Sequence, residues 1–342
     1  MPVNRTAHAA SAGTTQRRAL GRCAAFAARR AGAAPAAATL VLGGPVFGRG
    51  PNRFSTPRVN LPAFHLPRLT RATAALTERV WVTDEHGQAV EVSVPAERAL
   101  TVYVDKRELV TLMTLGAHPE WLVLGYLRNQ RLVGALADIE SITVDWDVGA
   151  AAVRTRAGID RIDERTAQRV VTTGCGQGSV FGDLMADLDQ IRLGDATLTQ
   201  ARLYGLLNAI RLQESTYKSA GSVHGCALFA GERMLIFVED VGRHNAIDTI
   251  AGWMWLQDAA TQAGGDKVFY TTGRLTSEMV IKSAQMGVPI VVSRSGITHM
   301  GLQVARTLGL CAIGRAVNRR FLCFSAPERI GWAPDLACAA AG

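Results

Sequence analysis

The chain has 342 residues, 48% of them hydrophobic, enough for one large domain or two ordinary ones with a sizeable core. No apolar run approaches the ~20 residues that span a bilayer, and the six cysteines at 23, 175, 226, 311, 323 and 338 form no C-x-x-C pair, which excludes a zinc ribbon and a thioredoxin-type site. The net charge of +8 is local: residues 1–70 hold ten arginines and no acidic residue, so 27 basic face 29 acidic residues in the remainder, and the body is no nucleic-acid-coating surface.

Neither nucleic acid nor membrane is therefore an expected partner. Scattered single cysteines suit a reducing, cytoplasmic setting. Residues 1–70, rich in Ala, Arg, Gly and Pro, are expected to be a disordered extension. Arg17-Arg18 invites a twin-arginine reading, but Arg29-Arg30 interrupts the apolar stretch that must follow.

Ordered pattern begins near Val80. Val80–Thr83 and Val90–Val94 alternate around Glu85-His86-Gly87-Gln88, which predicts a hairpin. Leu100–Val104 alternates again, a helix is predicted over Pro119–Leu127 with its start near His118, and Ile142–Trp146 with Ala152–Thr155 forms a second hairpin. Thr197 to Lys218 has helical spacing of apolar residues, with Thr197 as N-cap. From 226 onward strands alternate with helices: strand 233–238, helix 244–258, strand 267–271, helix 276–287, strand 289–293, helix 298–308, and strands 310–314 and 320–324. That alternation predicts an α/β layered sheet with parallel pairs, behind a strand-rich α+β front lobe spanning 80–170. Residues 331–342 read as a loose tail.

Between the two halves, Thr172-Thr173-Gly174-Cys175-Gly176-Gln177-Gly178 places one cysteine among three glycines, after the short β-branched strand Arg169–Thr172. Glycine lets another group approach the backbone closely, and N–H groups turned into such a loop favour a thiolate. Taken alone, the loop fits equally a tight turn with an incidental cysteine. His224, just before Cys226, fits either an acid–base group or a structural histidine, while Cys226, Cys311 and Cys323 lie in apolar strands and read as core.

Four polar clusters follow predicted strands: Glu239–Asn245, Thr271–Glu278, Ser293–Thr298 and Gly314–Arg320. In α/β sheets ligands bind beyond the carboxyl ends of strands, where helix N-termini favour anions. Each cluster brings arginine (Arg243, Arg274, Arg294, Arg315, Arg319, Arg320), the best bidentate partner of phosphate. Any one cluster is explained as well by capping through Thr276, Ser295 and Thr298; four in succession point to a ligand with several phosphates. A zinc-dependent deaminase is set aside, because the P-C-x-x-C pair that its zinc needs is missing, as is a Walker loop.

The Thr-Gly-Cys-Gly loop at 173–176, the Glu-Asp-Val-Gly-Arg-His-Asn-Ala-x-Asp run at 239–248 and the Gly-Arg-x-x-Ser-Glu-Met-Val-x-Lys run at 273–282 resemble the FdhD family of formate dehydrogenase accessory sulfurtransferases. The resemblance spans roughly 80–330. It implies a cytidine deaminase-like fold without the zinc site, a homodimer, and a cytoplasmic protein that takes sulfur from a cysteine desulfurase. The sulfur would pass to a molybdenum bis(molybdopterin guanine dinucleotide) cofactor destined for the formate dehydrogenase catalytic subunit, with GDP-like nucleotides as mimics. Carried onto this chain, the persulfide cysteine is Cys175 and the cofactor-binding segment is Arg315-Ala316-Val317-Asn318-Arg319-Arg320. Many members have a second cysteine three positions after the first; here Gly178 stands there. A non-catalytic cofactor chaperone is the alternative that this departure leaves open.

Overall fold

The computed structural model describes residues 66–159, 170–171, 178–179, 188–257 and 266–338. β1 (Arg68–Leu69) is a short strand inside the stretch whose composition suggests disorder. β2 (Thr77–Thr83) and β3 (Ala89–Pro95) form the expected antiparallel hairpin. Its turn is closed by Asp84 Oδ1, which accepts from the His86 and Gln88 amides. β4 (Arg98–Val104) is followed by β5 (Arg107–Thr114), which the sequence reading omits. Their turn is Asp105-Lys106, at φ 47° and 74°. Neither residue is the glycine or asparagine that normally announces such a turn.

α1 (Pro119–Asn129) starts at His118 as expected, with proline at the first-turn position it tolerates best. β6 (Ile139–Asp145) and β7 (Ala150–Thr155) complete a five-stranded sheet in the order β1-β6-β7-β4-β5. α1 buries Leu122, Val123 and Leu127 against Leu100, Val102, Ile142 and Val153 of that sheet. β8 (Val170–Val171) pairs antiparallel with β9 (Gly178–Ser179).

Next come β10 (Leu198–Thr199), α2 (Gln200–Leu212) and α3 (Thr216–Ala220), where one helix from Thr197 was expected. The cap is Thr199, which accepts from Arg202 N at 3.3 Å, and the helix stops at Gln213 with extended backbone. A second start follows at Ser215, whose Oγ accepts from Lys218 N. The remaining elements are β11 (His224–Ala230), β12 (Arg233–Asp240), α4 (Arg243–Leu256), β13 (Lys267–Thr271), α5 (Ser277–Gln285), β14 (Ile290–Ser293), α6 (His299–Thr307), β15 (Cys311–Val317), β16 (Arg320–Ser325), β17 (Ile330–Gly331) and α7 (Asp335–Cys338). The last helix lies in the expected loose tail.

The larger sheet runs β12-β11-β13-β14-β15-β16. Its centre, β13-β14-β15, is parallel and its edges are antiparallel, so the structure is mixed α/β. One face packs Leu228, Phe269 and Val291 against Ile250, Met279 and Val304 of α4, α5 and α6. The other packs Phe229, Val292 and Ile313 against Leu203 and Leu206 of α2. Among the described residues no helix is long and apolar enough to cross a membrane.

α1 and α4 touch backbone to backbone. A Cβ on Gly125 would stand 1.6 Å from the Asp248 carbonyl oxygen, and one on Gly252 2.0 Å from that of Trp121. Gly125→Ala must therefore push the front sheet off the back half, at a cost of about 3 kcal/mol. Thermal unfolding should drop by several degrees, whereas Gly134→Ala, with nothing within 4 Å of the added carbon, should leave it unchanged.

Candidate functional site

The carboxyl ends of the parallel strands are laced together. Arg294 N donates to Thr271 O at 3.0 Å, Leu275 N to Gly296 O at 2.9 Å and Arg315 N to Ser295 O at 2.6 Å. Ser293 Oγ donates to Gly273 O at 2.7 Å. Three of the four polar clusters thus lie side by side. Thr298 caps α6 as expected, accepting from Gly301 N, whereas Thr276 makes no side-chain cap bond. One of these three, Gly314–Arg320, is not a strand-to-helix turn. Arg315–Val317 continue β15 through a bulge, with Arg315 at φ 52°, and Asn318 at φ 55° turns the chain into β16.

Below these ends lies a cavity of about 640 Å³, within the ~300–1,000 Å³ of small-molecule sites. Phe237 and Tyr270 offer ring surface, and His224, Thr272 and Arg294 come from the strand ends. α2 and α3 add Arg211, Tyr217 and Lys218, which the sequence reading missed. Their only signal is the pair of basic residues near the end of an amphipathic stretch. Thr272 Oγ1 accepts from Gly225 N at 3.1 Å and is 3.4 Å from His224 Nδ1. Burial, then Arg243 and Arg274, lower the pKa of His224, so the imidazole stays neutral. Burial pushes Tyr270 up to about 12 despite Arg294, so it stays a phenol that can donate.

The sequence-predicted binding segment divides here. Ala316, Val317 and Asn318 line the cavity. Arg319 lines an adjoining one of about 270 Å³, with its guanidinium 5.9 Å from the Tyr204 ring centroid. Arg315 and Arg320 line neither cavity. Cys175 lies outside the described residues.

Most of the Glu239–Asp248 run turns inward. Asp240 accepts from Thr114 Oγ1 (2.5 Å), Leu115 N (3.2 Å), Gly242 N (3.2 Å) and Asn245 Nδ2 (2.8 Å), which ties β5 to the start of α4. Burial still pushes its carboxyl up to about 6. Arg243 is buried, and a Cβ on Gly273 would stand 2.6 Å from its Cδ. His244 is buried 3.4 Å from Glu278 Oε1; burial, then Lys282 and Arg243, drive its pKa to about 2, so it is neutral. Lys282 Nζ reaches Asp248 at 2.9 Å and Glu278 at 3.3 Å, and Asn129 Nδ2 donates to Asp248 at 2.7 Å. These side chains join α1, α4 and α5. Of the run, Glu239 alone lines the cavity.

Cys226 is buried, donates to Thr271 Oγ1 at 3.3 Å and is pushed up to about 12 by burial, so it stays a thiol. Among the described residues no three His, Cys, Asp or Glu side chains group as a metal site.

The profile of the FdhD/NarQ family matches residues 95–331, from the end of β3 through β17. The sulfur carrier protein FdhD of Halalkalibacterium halodurans is 29% identical over 265 residues, covering 77% of this chain and 97% of that protein. That of Bacillus subtilis is 30% identical over 247 residues, covering 70% and 91%. A solved structure from Desulfotalea psychrophila, described as a formate dehydrogenase accessory protein, aligns with a TM-score of 0.59 and 26% identity over 74% of this chain and 98% of that one. The matched span contains the glycine-flanked cysteine, the whole six-stranded sheet, all of the five-stranded sheet but β1, and every cavity-lining segment, and on it the chain belongs to the FdhD/NarQ family.

Proposed function

We propose that this protein carries sulfur as a persulfide on Cys175 during maturation of a formate dehydrogenase, and delivers it to a molybdenum bis(molybdopterin guanine dinucleotide) cofactor bound in the cavity. In the first step the Cys175 thiolate attacks the outer sulfur of a cysteine desulfurase persulfide. The donor S–S bond breaks, the donor leaves as a thiolate, and Cys175 holds the sulfane sulfur with no net oxidation. Gly178 removes a release step through a second loop cysteine, so the receiving centre or an outside thiol takes the sulfur directly. The protein acts in the cytoplasm as a homodimer, and its partners are the desulfurase and the dehydrogenase catalytic subunit. The helix-covered, partly parallel sheet supports a kinship of the back half with cytidine deaminases.

The observation that carries this reading is the cavity itself. Arg211, Lys218 and Arg294 bring positive charge to one space with the rings of Tyr217, Phe237 and Tyr270 and a neutral imidazole. That set fits the phosphates and base of a guanine nucleotide. Calorimetry with guanosine diphosphate tests it. Arg294→Ala should weaken binding by about 1.5–3 kcal/mol, while Arg320→Ala, which lines neither cavity, should bind as the parent does. Equal affinity for Arg294→Ala and parent would move the site elsewhere.

A further inference from the structure

α3 is a lightly anchored part of the cavity wall that packs against β3. None of its five residues is buried. Its N-terminus is held from a distant strand: Glu239, near the end of β12, accepts from Thr216 N with Oε2 at 2.5 Å and from Tyr217 N with Oε1 at 3.2 Å. The chain leaves its C-terminus through Gly221 and Ser222, at φ 68° and 50°, the second a conformation that non-glycine residues seldom take. Glu239, Tyr217 and Lys218 all line the cavity. Lys218 itself is loosely held, with Nζ 3.5 Å from both Glu214 Oε1 and Leu212 O.

We propose that residues 213–222 form a hinged flap on the cavity and that Glu239 is its latch, the positioning residue that sets Lys218 toward the anionic end of the ligand. Both carboxylate oxygens are spent on first-turn amides that a five-residue helix cannot satisfy internally. Break those two bonds and the helix keeps the Ser215 cap and its packing against β3, with a ready pivot at Gly221-Ser222. Only the ligand's identity rests on the guanine-nucleotide reading above; the latch stands on its own contacts.

Limited trypsin digestion of the full chain, with the Lys218–Ser219 cut followed by mass spectrometry, reads the flap directly. Glu239→Ala should be cut there about tenfold faster than the parent, because charge-assisted bonds that hold the closed form are gone. Its thermal midpoint should not move. Glu239→Gln, whose amide oxygen still accepts one of the two bonds, should fall between. Guanosine diphosphate should slow the cut in the parent and not in Glu239→Ala. A parental cleavage rate in Glu239→Ala would overturn the latch, as would faster cutting at every site with a lowered midpoint, which would mark Glu239 as a general fold residue. Faster cutting confined to Lys218 without protection by the nucleotide would leave the latch standing and remove the nucleotide.

Discussion

Cys175→Ala, incubated with a cysteine desulfurase and free cysteine, is expected to gain no mass, whereas the parent chain gains one sulfur atom that a reductant removes. Five other cysteines compete for the role, and the three whose side chains the structure describes are poor candidates. Cys226 is buried among β-strands and pushed up to about 12, so almost none of it is thiolate at neutral pH. Cys311 is buried, and its hydrogen bond with Cys323, then burial, raise its pKa. Cys323 is the nearest rival: the same bond holds it below its usual value, but it is half-buried against the cluster under α2. Cys175, by contrast, has a glycine on each side in the sequence, with no bulky neighbouring side chain to block a partner. The same substitution separates the two readings of the family role. If sulfur is carried, cells with Cys175→Ala lose formate dehydrogenase activity to background while the protein still binds guanosine diphosphate. If the protein only ferries the cofactor, activity is retained. A sulfur found on Cys323 or Cys226 would transfer the carrier role to that thiol.

Elements whose signals are local could be read from the sequence. The β2–β3 hairpin follows from alternation around Gly87, and α1 from Pro119. The α/β succession after residue 226 follows from apolar strands spaced by helical patterns. What could not be read depends on distant contacts. The split between α2 and α3 has no glycine or proline to mark it; Glu239 creates the second start from 23 residues away. β5 was hidden by a turn that two non-glycine residues make in left-handed conformations. At the site, polar side chains after a strand look alike whether they face a ligand or the core. Arg243 reads as a ligand group and is buried, as is His244 beside it. A discriminating signal was present. His244 and Asp248 are four apart on α4 and Glu278 and Lys282 four apart on α5, so each pair shares one helix face, and the faces meet with His244 beside Glu278 and Asp248 beside Lys282. Ala316–Asn318 were reached through the resemblance and not through chemistry, since two of the three have no polar side chain.

That facing pair of ladders carries the largest stability effect expected here. Lys282 and Asp248 are fully enclosed, and Glu278 is 3% exposed. Burial opposes the Lys282 charge, but Asp248 and Glu278 outweigh it and hold the ammonium above its usual pKa. Burial raises Asp248 in turn, against the pull of Lys282 and Asn129. Lys282→Met removes the cation that pairs with two enclosed carboxylates. Breaking a buried pair in this way costs about 3–5 kcal/mol, and urea unfolding at neutral pH should show a loss of that size. The deficit should depend on pH with a definite sign. Without Lys282, the folded-state pKa of Asp248 rises further above its unfolded value. The folded chain then binds the extra proton, and stability falls as pH rises through that window and returns as pH is lowered. The parent should show a flatter profile there. Adding Asp248→Asn to Lys282→Met should recover part of the loss, because the amide keeps a bond to Asn129 without a charge to bury. No recovery in the double variant would mean that the cost lies in lost packing between α4 and α5. In that case the buried charges set which helices pair and contribute little to how tightly they hold.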